Sequence, residues 1–430
     1  MSISSTKARH PAKPADYLSR AEALAVLGVK RQTLYSYVSR GYIRRVLQPD
    51  GRTSYYLRED IDRVKARSVA RSGHGPAAAG AVHWGEPVIL TGITEITEEG
   101  PRYRDRLALD LARERHSFET VAEYLWSGDW PGTPALWQTE AAPPGLRDAL
   151  ATLRRQQDDV HILQLLAQAI LSLGLAEDRV AKRARPQGTV TAARRLIHVM
   201  AGVHGFLGPR RDYCPLNPGE PIAAGLLRIM GRPPDSATIA ALDAAFVLIA
   251  DHELSPSTFA ARIAASVGAS LHSCIGAAFN VYRGSVIGFL CDDLERMFEP
   301  DAALDVVLRR IEASLVSART LRGFNHPLYP HGDPRTMMLI ELARGVARRR
   351  KIAPTMLEAI EHIALKFRAS PGLELGLVAL AHASGLPRQA ASGLFALART
   401  AGWVAHAIEQ GGDEFMIRPR AKFAPNPPLF

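Results

Sequence analysis

Positive charge in this chain is concentrated at one end. Residues 1–72 hold fifteen Lys and Arg against six Asp and Glu, a net of +9, while the other 358 hold 38 against 37. Residues 66–85, between the two regions, are rich in Ala, Gly and Ser without an apolar period, which predicts a flexible linker. The partition predicts a small basic unit and a large, nearly neutral one, each with its own core. It also assigns a polyanionic partner to the small unit alone. With 22% charged and 47% hydrophobic residues over 430 positions, a disordered or collagen-like chain is excluded and a sizeable core is available. No internal repeat is visible, which excludes a solenoid.

The basic region carries clear helix punctuation. Ser19 and Glu22 predict a capping box ahead of a helix over Ala21–Leu27, and Gly28-Val29 supplies a tight turn. A second helix follows from about Lys30 to Arg40, stopped by Gly41. Leu34 and Val38 sit four apart and are expected to face inward. Lys30, Arg31, Gln32, Thr33, Tyr35, Ser36 and Arg40 are then left as candidate DNA contacts. Runs at 43–47 and 54–57 flank Pro49-Asp50-Gly51-Arg52 and predict a β-hairpin with Arg52 at its tip, before a short helix from Glu59. This arrangement over residues 1–65 resembles the winged helix-turn-helix of the MerR and excisionase type, which implies DNA binding. The same charge would also suit a helical pair that contacts another protein.

The remainder reads as mostly helical. Ser117 opens a helix that Gly128 and Pro131 end, and Ser255-Pro256 opens another expected to run to about Val281. The longest uncharged stretch, from Ile263 to Tyr282, holds His272 and Asn280 and is expected to be a core helix rather than a membrane span. Cys214, Cys274 and Cys291 are odd in number and scattered, so neither a disulfide framework nor a structural zinc site is expected. No apolar signal segment opens the chain, and a cytoplasmic location fits.

Four segments occur in order: ADHELSPSTFAAR at 250–262, GFNHPLYPHGDPR at 323–335, SPGLELGLVAL at 370–380, and FALARTAGWVAHAIEQ at 395–410 followed by IRPR at 417–420. Together with SFETVAEYLWSGDWP they resemble the citrate synthases over residues 86–423. The resemblance implies a mostly α fold, with a large domain from 86–290 and 388–430 and a small one from 291–387. It implies a homodimer or larger oligomer whose domains close on substrate, and no permanently bound cofactor or metal. It also assigns His252, His326, Arg335, Arg399 and Arg418 to oxaloacetate. The chemistry is consistent, because guanidinium forks suit the carboxylates of a dicarboxylate and a His donor polarises its keto group.

The departures lie on the acyl-CoA side. The family's catalytic Asp falls at Glu374, and the His that bonds the thioester oxygen falls at Arg283. Glu displaces the carboxylate by about one carbon–carbon bond, roughly 1.5 Å. Arg283 can donate to an enolate but cannot shuttle a proton, and a cation there is expected to lower the pKa of Glu374. The two residues also read as an ordinary ion pair that closes the pocket. Asn325 replaces a Gly and is expected to keep a left-handed turn. CoA phosphates could meet Arg348–Lys351, or Lys366 and Arg368, although such a run also suits a solvated helix end. The resemblance implies an acyltransferase joining an acyl-CoA, acetyl-CoA foremost, to oxaloacetate, of citrate synthase or 2-methylcitrate synthase type. The alternative is a catalytically impaired one-component regulator that senses a dicarboxylate such as oxaloacetate or citrate.

Overall fold

In a computed structural model, the structure describes residues 17–39, 42–47, 54–58, 60–62, 64–65, 89–138, 142–156, 159–177, 186–299, 302–318, 322–352, 354–413 and 415–419. The chain divides into two compact units, Met1–Leu90 and Thr91–Phe430.

In the first unit, β1 (Tyr17–Ser19) leads into α1 (Arg20–Leu27), and α2 (Arg31–Ser39) follows. The capping box forms: Ser19 Oγ accepts from Glu22 N–H, and the Glu22 carboxylate accepts from Ser19 N–H at 2.7 Å. Gly28 adopts the left-handed φ of +66° that ends α1. β2 (Arg45–Leu47) and β3 (Ser54–Leu57) pair antiparallel, and β1 joins the other edge of β3 as an unanticipated third strand. The first hairpin strand therefore starts at Arg45 rather than Ile43, which instead packs into the core. The turn at 49–52, the linker at 66–85, and Arg40, Gly41, Arg52 and Glu59 lie outside the described residues. The small core gathers Leu18, Ala23, Leu27, Leu34, Ile43 and Tyr56, with Val38 against it.

The second unit opens on an antiparallel sheet of β4 (Thr94–Thr97), β5 (Gly100–Tyr103) and β6 (Arg106–Leu107). Helices follow: α3 (Ala108–Arg113), α4 (Phe118–Ser127), α5 (Leu146–Gln156), α6 (Ile162–Glu177), α7 (Pro186–Val203), α8 (Ile222–Ile229), α9 (Ser236–Ile249), α10 (Pro256–Ser266) and α11 (Leu271–Tyr282). The last six are α12 (Leu290–Met297), α13 (Leu304–Ala318), α14 (Pro334–Arg350), α15 (Thr355–Phe367), α16 (Leu373–Ala383) and α17 (Ala390–Gly411). One core runs through the unit, and α17 is its axis. That helix is buried continuously from Ala390 to Ala407 because small or apolar side chains surround it on all sides. It packs on α4, α6, α7, α9, α10, α11 and α16.

The helix expected from Ser255-Pro256 to Val281 is in fact two. Gly268 takes a left-handed φ of +76°, and Ser270 then caps a new helix by accepting from Ser273 N–H at 3.3 Å. Ser117 and Gly128 bound α4 as the sequence indicates. Among the described residues, no helix is long and apolar enough to cross a membrane.

Candidate active site

Three loops and two helix ends bring the candidate residues together. The first loop follows α9. Ile249 O accepts from Arg399 Nε at 2.7 Å, and Ala250 O accepts from Gly402 N–H at 2.9 Å, so the end of α9 is stitched to α17. Contact this close requires glycine, because a Cβ on Gly402 would lie 2.1 Å from Asp251 Oδ1. Tyr103, fully buried on β5, donates its hydroxyl to Val247 O at 2.8 Å and accepts from Asp251 N–H at 3.2 Å. His252 is thereby fixed in the loop.

The second and third loops are joined backbone to backbone. Asn325 N–H donates to Ser370 O, Ser370 N–H returns a bond to Asn325 Oδ1, and Gly372 N–H donates to Gly323 O. Asn325 holds the expected left-handed turn at φ +58°. A Cβ on Gly372 would lie 2.9 Å from Gly323 O, so glycine is required there for close approach. This short bridge carries His326 on one side and, two residues past Gly372, Glu374 in the first turn of α16 on the other.

Around Tyr329 the pieces meet. His252 Nε2 lies 3.1 Å from the Tyr329 hydroxyl, and the rings of His252 and His326 stand nearly perpendicular with centroids 5.3 Å apart. The Arg335 guanidinium sits 5.5 Å over the Tyr329 ring and forms a two-pronged pair with Asp333 at 3.0 and 2.7 Å. Asp333 also caps α14, with Pro334 as its first residue. Arg335 is buried, and its Nη1 has no partner among the described residues. Arg399 lies over the Phe395 ring, bonded through Nε to Ile249 O.

Burial sets the charge states. Desolvation, reinforced by Arg335 and Arg399, holds His252 well below the ordinary imidazole range. Desolvation followed by Arg335 takes His326 down to about 4, so both rings are neutral near pH 7. Leu328 N–H donates to His326 Nδ1 at 3.2 Å, which places the ring proton on Nε2. Desolvation raises Glu374 above the usual carboxylate range against the pull of Arg335 and Arg399. That reverses the lowering expected from Arg283. Arg283 caps the C-terminus of α11, half-buried, and its side chain makes no bond to Glu374 or to any other described residue.

Arg418 is exposed and unbonded to the cluster. Of the candidate CoA residues, Arg348 and Lys351 line a cleft of about 730 Å³ between α14 and α15, where Glu341, Glu358 and Glu361 offset the basic charge. Sequence reasoning missed Tyr329 and Asp333, although both lie in the quoted 323–335 segment. The Asp-Pro-Arg order there is readable as an N-cap followed by Pro at the first helical position.

A family model for the citrate synthase C-terminal domain matches residues 82–420. The chain belongs to the citrate synthase family. Citrate synthase 2 of Bacillus subtilis is 27% identical over 73% of this chain and 88% of its own. The 2-methylcitrate synthase of Mycobacterium tuberculosis is 27% identical over 75% and 84%. Among solved structures, the citrate synthase of Thermoplasma acidophilum, in a ternary complex with carboxymethyl coenzyme A and oxaloacetate, superposes with a TM-score of 0.69 at 20% identity. It covers 80% of this chain and 96% of its own. Citrate synthase from Thermotoga maritima gives a TM-score of 0.64 at 23% identity, with coverage of 80% and 96%. The mostly helical citrate synthase fold is thus shared.

Proposed function

We propose that this protein condenses an acyl-CoA, acetyl-CoA in the first instance, with oxaloacetate, and that its basic first unit binds DNA. The observation that carries the reading is the meeting of two neutral histidines and two buried arginines beside a desolvated carboxylate. Arg335 Nη1 and the Nη nitrogens of Arg399 supply the donors for the carboxylates of oxaloacetate. His326 Nε2–H polarises the keto oxygen. Glu374 takes a proton from the acyl methyl or methylene carbon, and that carbon bonds to the keto carbon as the keto oxygen gains charge and then a proton. Water cleaves the thioester and releases the CoA thiol. CoA enters as co-substrate, with no permanent cofactor. Residues 86–290 and 388–430 form the large domain and 291–387 the small one. Arg418 joins the clamp through movement of its segment or from a second copy in a homodimer.

A winged helix-turn-helix reading of residues 1–65 is supported by the exposed Lys30, Arg31 and Gln32 at the start of α2, with Thr33, Tyr35 and Ser36 half-buried. Hydrogen bonds from Arg31 at 3.0 Å and Arg20 at 3.4 Å hold the Tyr35 hydroxyl below the usual phenol range. Arg31→Ala is expected to weaken duplex DNA binding and lower the log–log salt slope by about one.

The absence of a hydrogen bond or ion pair between Arg283 and Glu374 favours a second reading, a dicarboxylate-sensing regulator. A thiol-dye assay of CoA release from acetyl-CoA or propionyl-CoA with oxaloacetate separates the two. Release supports the enzyme, and the faster thioester gives its type. No release, together with oxaloacetate binding by calorimetry, supports the sensor.

A further inference from the structure

Behind the pocket, three fully buried ionisable groups form a chain that the chemistry above does not use. Asp251, one residue before His252, is fully buried at the C-terminal end of α9, where the helix dipole disfavours an anion. His406 Nε2 lies 3.2 Å from Asp251 Oδ2. On its other side, His406 Nδ1 lies 2.9 Å from Arg262 Nη1. A guanidinium has donors only, so Nδ1 must accept, the His406 proton sits on Nε2, and Nε2–H donates to Asp251. Arg262 is itself held by Gln410 Oε1 at 3.0 Å and Glu409 Oε2 at 2.5 Å. Glu409 in turn accepts from Thr91 Oγ1 and Gly92 N–H, both at 2.8 Å, where the chain enters this unit.

We propose that His406 and Arg262 are positioning residues of the dicarboxylate site, locking Asp251 as a fixed anion that orients the His252 loop and Arg399. The inference rests on reading that pocket as the oxaloacetate site. Two observations support it. Ile249 O and Ala250 O, just before Asp251, accept from Arg399 Nε at 2.7 Å and Gly402 N–H at 2.9 Å, so the segment that carries Asp251 is bonded directly to the Arg399 side chain. Buried ion pairs also add little stability over apolar packing of the same volume, so a three-member chain in a core is better explained by orientation than by stability alone.

The test is oxaloacetate calorimetry on the full chain, with melting temperature alongside. His406→Phe keeps the ring but removes both bonds, whereas His406→Gln can still donate to Asp251 and accept from Arg262. His406→Phe is expected to weaken oxaloacetate binding about tenfold or more and His406→Gln by no more than about threefold. Where turnover is measured, KM for oxaloacetate rises in the Phe variant while KM for acyl-CoA holds. A folded His406→Phe that binds as wild type overturns the inference, as does a His406→Gln that loses as much as Phe. If His406→Phe does not fold, Glu409→Gln, at a partly exposed position, is expected to weaken binding about threefold, and wild-type affinity there overturns the inference. Wild-type protein that fails to bind oxaloacetate overturns the site reading itself.

Discussion

Leu328 decides what His326 can do. Its N–H occupies Nδ1 at 3.2 Å and leaves Nε2 without a partner among the described residues, so the ring presents one donor. A neutral imidazole, taken down to about 4 by desolvation and then by Arg335, is a stable donor rather than a proton carrier in neutral solution. His326→Leu removes that donor, and kcat is expected to fall on the order of a hundredfold or more while oxaloacetate affinity changes far less. Steady-state kinetics with parallel calorimetry distinguish this from a binding role, in which the affinity loss would dominate. Arg335 differs from Arg399 in a way sequence does not reveal. Both are buried, but Arg335 spends two of its side-chain nitrogens on Asp333, whereas among the described residues Arg399 is hydrogen-bonded through Nε alone.

Helix α17 shows most directly how packing controls chemistry. Gly402 lets the helix approach the end of α9, and its Cβ position is occupied by Asp251 Oδ1 at 2.1 Å and Ala250 O at 2.6 Å. Gly411, in the last turn of the same helix, has nothing within 4 Å of that position. Gly402→Ala is therefore expected to destabilise by about 1–3 kcal/mol or more. Gly411→Ala is expected to be neutral or to stabilise by about 0.5–1 kcal/mol, so denaturant melts of the pair give a paired comparison. Helix α17 also marks the limit of what sequence made legible. Arg399 was readable from its motif, because carboxylate recognition demands its chemistry at a marked place. Its neighbours Asp251 and His406 were not, because their roles depend on contacts between positions 155 residues apart. Similarly, the capping box at Ser19 and the cap at Ser117 are local and were legible. The break at 267–270 needed Ser270 to be recognised as a second cap inside a continuous apolar run. The raised pKa of Glu374 was missed for the same reason, since desolvation is a property of the packed pocket.

Across the molecule, buried ionisable groups work in opposite directions. Desolvation lowers His198, His204 and His326 to about 4, so their stabilisation is complete above their unfolded pKa of 6.5 and is lost as pH falls through that value towards 4. Desolvation also raises Asp243 to about 7, helped by the charge of Glu119, and raises Glu295 to about 7, so their contribution is present at low pH and is lost as pH rises towards 7. Each unmatched proton is worth about 1.4 kcal/mol per pH unit, and three histidines against two carboxylates leave one unmatched, so melting temperature is predicted to fall modestly on acidification from pH 6.5 to 4.5, roughly the window where the sets overlap. Asp243→Asn is expected to steepen that fall, and His198→Gln to flatten it. Parallel slopes in the two variants would show that these buried groups do not set the pH dependence. The central claim is that the desolvated Glu374 carboxylate is the base of a citrate-synthase-type condensation. The most direct measurement follows CoA release by wild type and Glu374→Gln, with oxaloacetate binding measured on both. A loss of about a hundredfold or more in release is expected, with affinity within about threefold. Equal release from the two proteins would contradict it.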